Sequence, residues 1–237
     1  MICKNCGHHF SGNYCSNCGQ KSNIKKIDYN YLIHELPSSI FQINHGFLFT
    51  VLKLATRPGH SVREFLDGKR KNYFKPVPFL FLTSTIYIFF NYLIANDTFM
   101  DDFIAGIKLS ELNNNNSLKW FSDNKTYLVL AIIPLFSVAS YLAFLKSKYN
   151  YVEHLVLNFY TTGQQMLIYL MFSFISMRDS SLTLIPLSLG MLFNIWTYAQ
   201  FFSSITILKR IIRIAFTYLI FSTIVMMGLF VLVGLLK

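Results

Sequence analysis

Residues 155–177 read LVLNFYTTGQQMLIYLMFSFISM, and the topology turns on whether this stretch crosses a bilayer. Its second half is apolar, but Asn158, Thr161, Thr162, Gln164 and Gln165 make the first half polar. Four more uniformly apolar stretches flank it, at 77–95, 127–145, 182–202 and 211–236. Each reaches about nineteen residues or more, roughly 28 Å as helix, which suffices to cross the hydrocarbon layer. If 155–177 spans as well, the two chain ends lie on opposite faces. If it does not, every later span inverts. The chain is 53% hydrophobic and only 14% charged over 237 residues, too apolar for an ordinary soluble domain of this size. The expected fold is therefore mainly α: a polytopic bundle of about five transmembrane helices over 77–237.

The polar residues of the third stretch are not scattered. At 100° per residue, His154, Asn158, Thr161 and Gln165 fall at about 0°, 40°, −20° and 20°, a single narrow stripe. Polar groups at membrane depth are costly unless they face protein or a wet cavity, so this face points into the bundle. Asn194, Tyr198 and Gln200, in the inner part of the fourth stretch, are placed to answer it. Two readings follow: hydrogen bonding between helices, or a polar recess opening toward the cytosol and lined by His154, Asn158, Thr161, Gln165 and Asn194.

Charge orients the bundle. With the amino terminus in the cytosol, sixteen of the 21 Lys and Arg lie on inner segments, and five (Lys108, Lys119, Lys125, Arg178 and Lys237) lie outside. The outer loop of 96–126 also carries Asp97, Asp101, Asp102, Glu111 and Asp123, with Asn113 to Asn116 at its tip. Positive charge on the inside predicts a cytosolic amino terminus and an extracytoplasmic carboxyl terminus. The formal charge of +10 sits beside apolar spans and not on a separate basic face, which argues against nucleic acid as a partner.

Ahead of the spans, residues 1–24 carry Cys3-x2-Cys6 and Cys15-x2-Cys18, separated by eight residues. Each pair lets one tight knuckle offer two thiolates to a tetrahedral ion, and zinc is the expected cofactor. Gly7 and Gly19 follow the second cysteine of each pair, where positive φ lets the chain turn back beneath the sulfurs. Two disulfides are the alternative, but nothing before Ile24 resembles a signal-peptide core, which keeps these thiols in a reducing compartment. A head this small cannot bury a core, so the metal supplies most of its folding free energy, on the order of 10 kcal/mol. His8 and His9 are read as exposed, since four thiolates already close the site.

Residues 25–76 form a cytosolic, membrane-apposed segment. Ile40, Phe41, Ile43, Phe47, Leu48, Val51 and Leu52 give it apolar character, while Pro37 and Gly46 break it too often for a span. Ser61 and Glu64 have the spacing of a capping box, and Gly68 is placed to stop the helix they begin. Lys69, Arg70, Lys71 and Lys75 then run into Pro76 and Pro78, a basic cluster suited to anionic lipid headgroups. No internal repeat is evident by eye.

Several of these stretches together resemble a known family: Cys-Lys-Asn-Cys-Gly with Tyr-Cys-Ser-Asn-Cys-Gly-Gln, Arg57-Pro58-Gly59 through Arg63-Glu64-Phe65-Leu66, Gly68 to Pro76, and Tyr151-Val152-Glu153-His154. The chain is similar to the bacterial membrane proteins named as domain of unknown function 3667. That resemblance implies a multi-pass protein of the bacterial inner membrane with a zinc-ribbon head, and it implies no activity.

Catalysis finds little support. His34, His45, His60 and His154 lack the paired spacing of a membrane di-iron site, and no Gly-x-Ser-x-Gly elbow or phosphate-cradling loop occurs. The expected function is that of a non-enzymatic adaptor, sensor or interaction protein, its head facing a cytosolic protein partner or a second copy of the chain. The alternative is a transporter or lipid-handling protein that uses the polar recess.

Overall fold

The computed structural model describes residues 1–31, 46–94, 125–176 and 184–235. Pro37, His34, His45, Ile40, Phe41, Ile43 and the 96–124 part of the expected outer loop lie outside these residues, as do Arg178 and Lys237. The helices run in the order α1 (Gly46–Thr56), α2 (Pro58–Leu66), α3 (Pro76–Ile94), α4 (Lys125–Ala143), α5 (Tyr151–Ser176), α6 (Leu184–Phe201) and α7 (Ile207–Leu235). Each of the five apolar stretches is thus mainly helical over its described residues. The polar half of the third does not interrupt α5, which continues for 26 residues.

Helicity is not the same as the capacity to span. Among the described residues, one helix is long and apolar enough to cross a membrane, α7 over Ile207–Gly228. The apolar runs of α3 and α4 are shorter, at Pro76–Phe90 and Ile132–Ala143. Five spans are therefore more than length and hydropathy alone license here.

The elements build outward from α5. Its broadest contact is with α3, and it also packs on α4 and α6, while α7 lies against α4. Small residues set the closest crossings. A Cβ on Gly163 of α5 would come within 2.7 Å of the Phe79 ring and 3.0 Å of Thr83 on α3, so the missing side chain is what lets the helices approach.

α1 and α2 form a layer across one end of this bundle. Pro58 occupies the first turn of α2, where its fixed φ and absent N–H favour helix initiation. The helix therefore starts ahead of Ser61, and the expected capping box is not formed. Ser61 is buried inside α2 and donates to the carbonyls of Lys53 and Arg57. The Glu64 carboxylate instead accepts from the Tyr73 hydroxyl at 2.8 Å and pairs with Arg57 and Lys69. The expected stop does occur: Gly68 has φ +110°, with Gly68 N–H donating to Phe65 and Lys69 N–H to Glu64, the double closure of a Schellman turn. Gly59 fixes α2 on α6, since any Cβ there would collide with the Thr197 carbonyl and the Phe201 amide.

The main core lies where this layer meets the long helices. Phe65 packs edge to face on Tyr160, Phe79 packs on the same ring at a tilt, and Phe144 stacks on Phe202 with centroids 3.8 Å apart. Farther along, the pattern reverses. Phe81, Ile88, Phe89 and Leu93 of α3 and Ile211, Phe216, Leu219 and Met226 of α7 are exposed, while Thr83, Ser137, Asn158, Thr161 and Thr217 are buried.

Candidate metal centre and its seat on the bundle

The head is two copies of one small device. Cys3 N–H donates to His8 and Gly7 N–H to Cys3, closing a turn spanned by an antiparallel bridge between Ile2 and His9. Twelve residues later Cys15 N–H donates to Gln20 and Gly19 N–H to Cys15, with a bridge between Tyr14 and Lys21. Gly7 and Gly19 both take positive φ, +75° and +69°. This is an internal repeat that inspection of the sequence misses, because little besides Cys, Asn and Gly recurs.

The two knuckles face each other. All four Sγ atoms lie within 4.8 Å of one another, with Cys3 to Cys18 at 3.5 Å and Cys6 to Cys15 at 3.6 Å. A disulfide would need about 2.05 Å. A tetrahedral ion with bonds of about 2.3 Å to sulfur sets its ligands about 3.8 Å apart, so the four cysteines fit a metal ion. Donation from the Cys6 backbone N–H lowers the Cys3 thiol to about 7, and the His8 backbone N–H lowers Cys6. Burial pushes Cys18 up to about 11. Metal uptake by thiols releases protons, because the thiolate is the ligand. His8 and His9 are exposed.

The head is seated on the helices by one residue above all. Gln20, 5% exposed, uses its Oε1 to accept from Arg70 N–H at 3.0 Å and from Lys71 N–H at 3.1 Å, while its own carbonyl closes the second knuckle. Arg70 reaches back, donating to the Lys25 carbonyl at 3.0 Å and stacking over Tyr31 and Phe65. Ile27 is fully buried in the main core, and its carbonyl accepts from Asn150 ahead of α5. Lys26 pairs with Glu153 at 3.7 Å. Sequence reasoning missed Gln20, Lys25, Lys26 and Asn150. The only local signal was the glutamine after the second Cys-Gly.

The basic loop serves this seat. Arg70 is half-buried with the bonds just described, Lys69 pairs with Glu64 at 3.7 Å, Lys71 lies beside Gly19, and Lys75 is half-buried at the start of α3.

The stripe on α5 is buried along its amino-terminal part: His154 is 0%, Asn158 2% and Thr161 1% exposed. Most of its polar atoms meet partners, while His154 Nε2 is buried with no hydrogen-bond partner among the described residues. Asn158 donates to Ser137 of α4 and accepts from Tyr198 of α6, both at 2.8 Å, and His154 Nδ1 lies 2.9 Å from Ser140 Oγ. Thr161 donates within its own helix to Leu157, and Gln165 donates to the Gly190 carbonyl at 2.7 Å. Asn194 accepts from Tyr218 of α7 at 3.1 Å, a bond to a helix other than the one that carries the stripe. These groups knit α4, α5, α6 and α7 together.

No curated protein and no solved structure matches the chain. The segment that receives the head has a recognisable pattern of its own, running through α1, α2, the basic loop and the first part of α3. Residues 44–88 match the model of a family described as a protein of unknown function, DUF3667.

Proposed function

We propose that the protein is a membrane-embedded adaptor or sensor, with a zinc-holding cytosolic head seated on the inner end of a five-helix bundle and with no reaction of its own. The observation that carries this reading is Gln20, which belongs at once to the second cysteine knuckle and to the loop leading into α3. Order in the head is thereby coupled to order at the bundle surface. A closed four-thiolate site leaves no coordination position for a substrate, which favours a structural over a catalytic ion. Met1, Ile2 and Tyr14 remain largely exposed on the head, apolar surface suited to a cytosolic protein partner or a second copy.

The membrane part rests on where apolar and polar residues fall. Exposed Phe, Ile, Leu and Met on α3 and α7, with hydroxyls and amides inside, is the distribution expected of a lipid-facing surface and the reverse of a soluble one. Leu48 and Leu52 of α1 are also exposed, in keeping with a layer lying against lipid headgroups. The distribution of Lys and Arg supports a cytosolic amino terminus and an extracytoplasmic carboxyl terminus in a bacterial inner membrane. The transport reading gains less support, because Asn158 and Gln165 are engaged between helices and Thr161 within its own, which leaves His154 Nε2 as the stripe's one buried polar atom without a partner among the described residues.

Metal analysis of detergent-purified protein, followed by hydrogen exchange, tests the proposal. The wild type retains zinc, and Cys15→Ser with Cys18→Ser loses it and speeds exchange in the 69–72 loop as well as in the head. Purified protein with bridged cysteines and no bound ion, or a loop indifferent to metal loss, sinks the reading.

A further inference from the structure

A cleft of about 280 Å³ opens at the seam between head and bundle. Three separate parts of the chain bring lysines to it: Lys4 from the first knuckle, Lys25 and Lys26 from the connector, and Lys148 from the turn before α5. Asp67 and Glu153 are the acidic groups facing them. Glu153 is already engaged, 4% exposed, accepting from Asn150 N–H at 2.8 Å and paired with Lys26. Lys4, Lys25 and Lys148 have no carboxylate within ion-pair distance among the described residues.

Four ammonium groups facing two carboxylates, with Lys148 also lying over the Tyr149 ring, leave a net positive potential in a concave, partly apolar site, and a multivalent anion relieves it. We propose that this cleft binds a phosphate group, carried either by an anionic lipid headgroup or by a soluble phosphate ester. Lysine is well suited as a point-charge partner for phosphate oxygens. Tyr149 lines the same cleft; burial, with Asp67 adding to it, pushes its phenol up to about 12, so it stays protonated and able to donate. The volume is near the lower end of small-molecule pockets, about 300 Å³, enough for a phosphate and its immediate substituents. This site differs from the basic loop at Lys69 to Lys75, where Arg70 and Lys69 are engaged by the protein itself. Because Lys4 belongs to the head and Lys148 to the bundle, a bound phosphate bridges the seam. The inference goes beyond the adaptor reading and does not depend on which partner the head meets.

The test uses the full-length, metal-loaded protein in nanodiscs of phosphatidylcholine alone and of phosphatidylcholine mixed with phosphatidylglycerol. Inorganic phosphate is titrated calorimetrically into the first, and native mass spectrometry reads lipid retained from the second. Saturable phosphate binding identifies a soluble ester as the ligand class, and selective retention of phosphatidylglycerol identifies a headgroup. In either case Lys25→Gln with Lys148→Gln weakens binding about tenfold, since two exposed charge contacts are lost, and Lys4→Gln weakens it less. Lys69→Gln leaves it unchanged. Metal content and unfolding midpoint confirm that the variants fold. If neither probe binds, or if the folded double variant binds as the wild type does, the site is not there.

Discussion

At the residue scale, the two knuckles show how a repeat is put to different uses. His8 and Gln20 occupy equivalent places, twelve residues apart and each accepting from the first cysteine's N–H through its carbonyl. His8 is exposed, while Gln20 is buried against the Arg70 and Lys71 amides. One side chain thus converts a free-standing fold into a docked one. Gln20→Leu keeps the size but removes the acceptor, leaving two backbone N–H groups unpaired. Both groups are only partly buried, so water takes up part of the loss and the cost is about 1 kcal/mol. The expected result is a lower unfolding midpoint and faster amide exchange at residues 70 and 71, with metal content unchanged. Gln20→Glu retains an acceptor and recovers much of the protection. Unaltered exchange in Gln20→Leu would mean that the head is held elsewhere.

At the scale of elements, the interlock of α2 with α6 depends on a missing side chain. Gly59→Ala drives a methyl group toward the Thr197 carbonyl and the Phe201 amide, and overpacking of this kind costs about 1–3 kcal/mol. Thermal unfolding in detergent reads the loss, and an unchanged midpoint would show that α2 shifts freely. The helices themselves were legible from apolar run length, and the cysteine site from its spacing, because both signals are local. The start of α2 was misread because Ser-x-x-Glu and an upstream proline each mark a helix start, and proline at the first turn prevailed. The seat of the head was not legible at all. Its bonds join Gln20 to Arg70 and Ile27 to Asn150, separations over which no sequence periodicity carries information. Asn194 shows the same limit at one remove. Periodicity identifies a helix face, yet Tyr198 turns to α5 and Asn194 to α7 from neighbouring turns of one helix.

For the whole molecule, the ends of the long helices bear on how many of them cross. α2 lies against the carboxyl end of α6, Arg210 at the start of α7 donates to the Ala199 carbonyl of that end and to the Ile205 carbonyl of the turn after it, and the head with the chain that follows it meets the turn before α5 and the loop before α3. The starts of α3, α5 and α7 therefore gather with the end of α6 beside the head, as alternating antiparallel spans require. A single crossing by α7, the only described helix that passes on length and hydropathy, also leaves the carboxyl terminus opposite the head, so the position of the chain ends cannot separate the two topologies. The segment between α3 and α4 can. Five crossings put it outside and one crossing leaves it in the cytosol. Alkaline phosphatase fused at Asn114 is expected to be active and green fluorescent protein at the same site dark, while fluorescent protein inserted at Ser147 is bright. A bright insertion at Asn114 would take α3 and α4 out of the bilayer. The exposed Phe81, Phe89 and Leu93 of α3 would then face water, a cost of roughly 1.5–3 kcal/mol for each large apolar side chain relative to burial, and that cost is the physical reason to expect five.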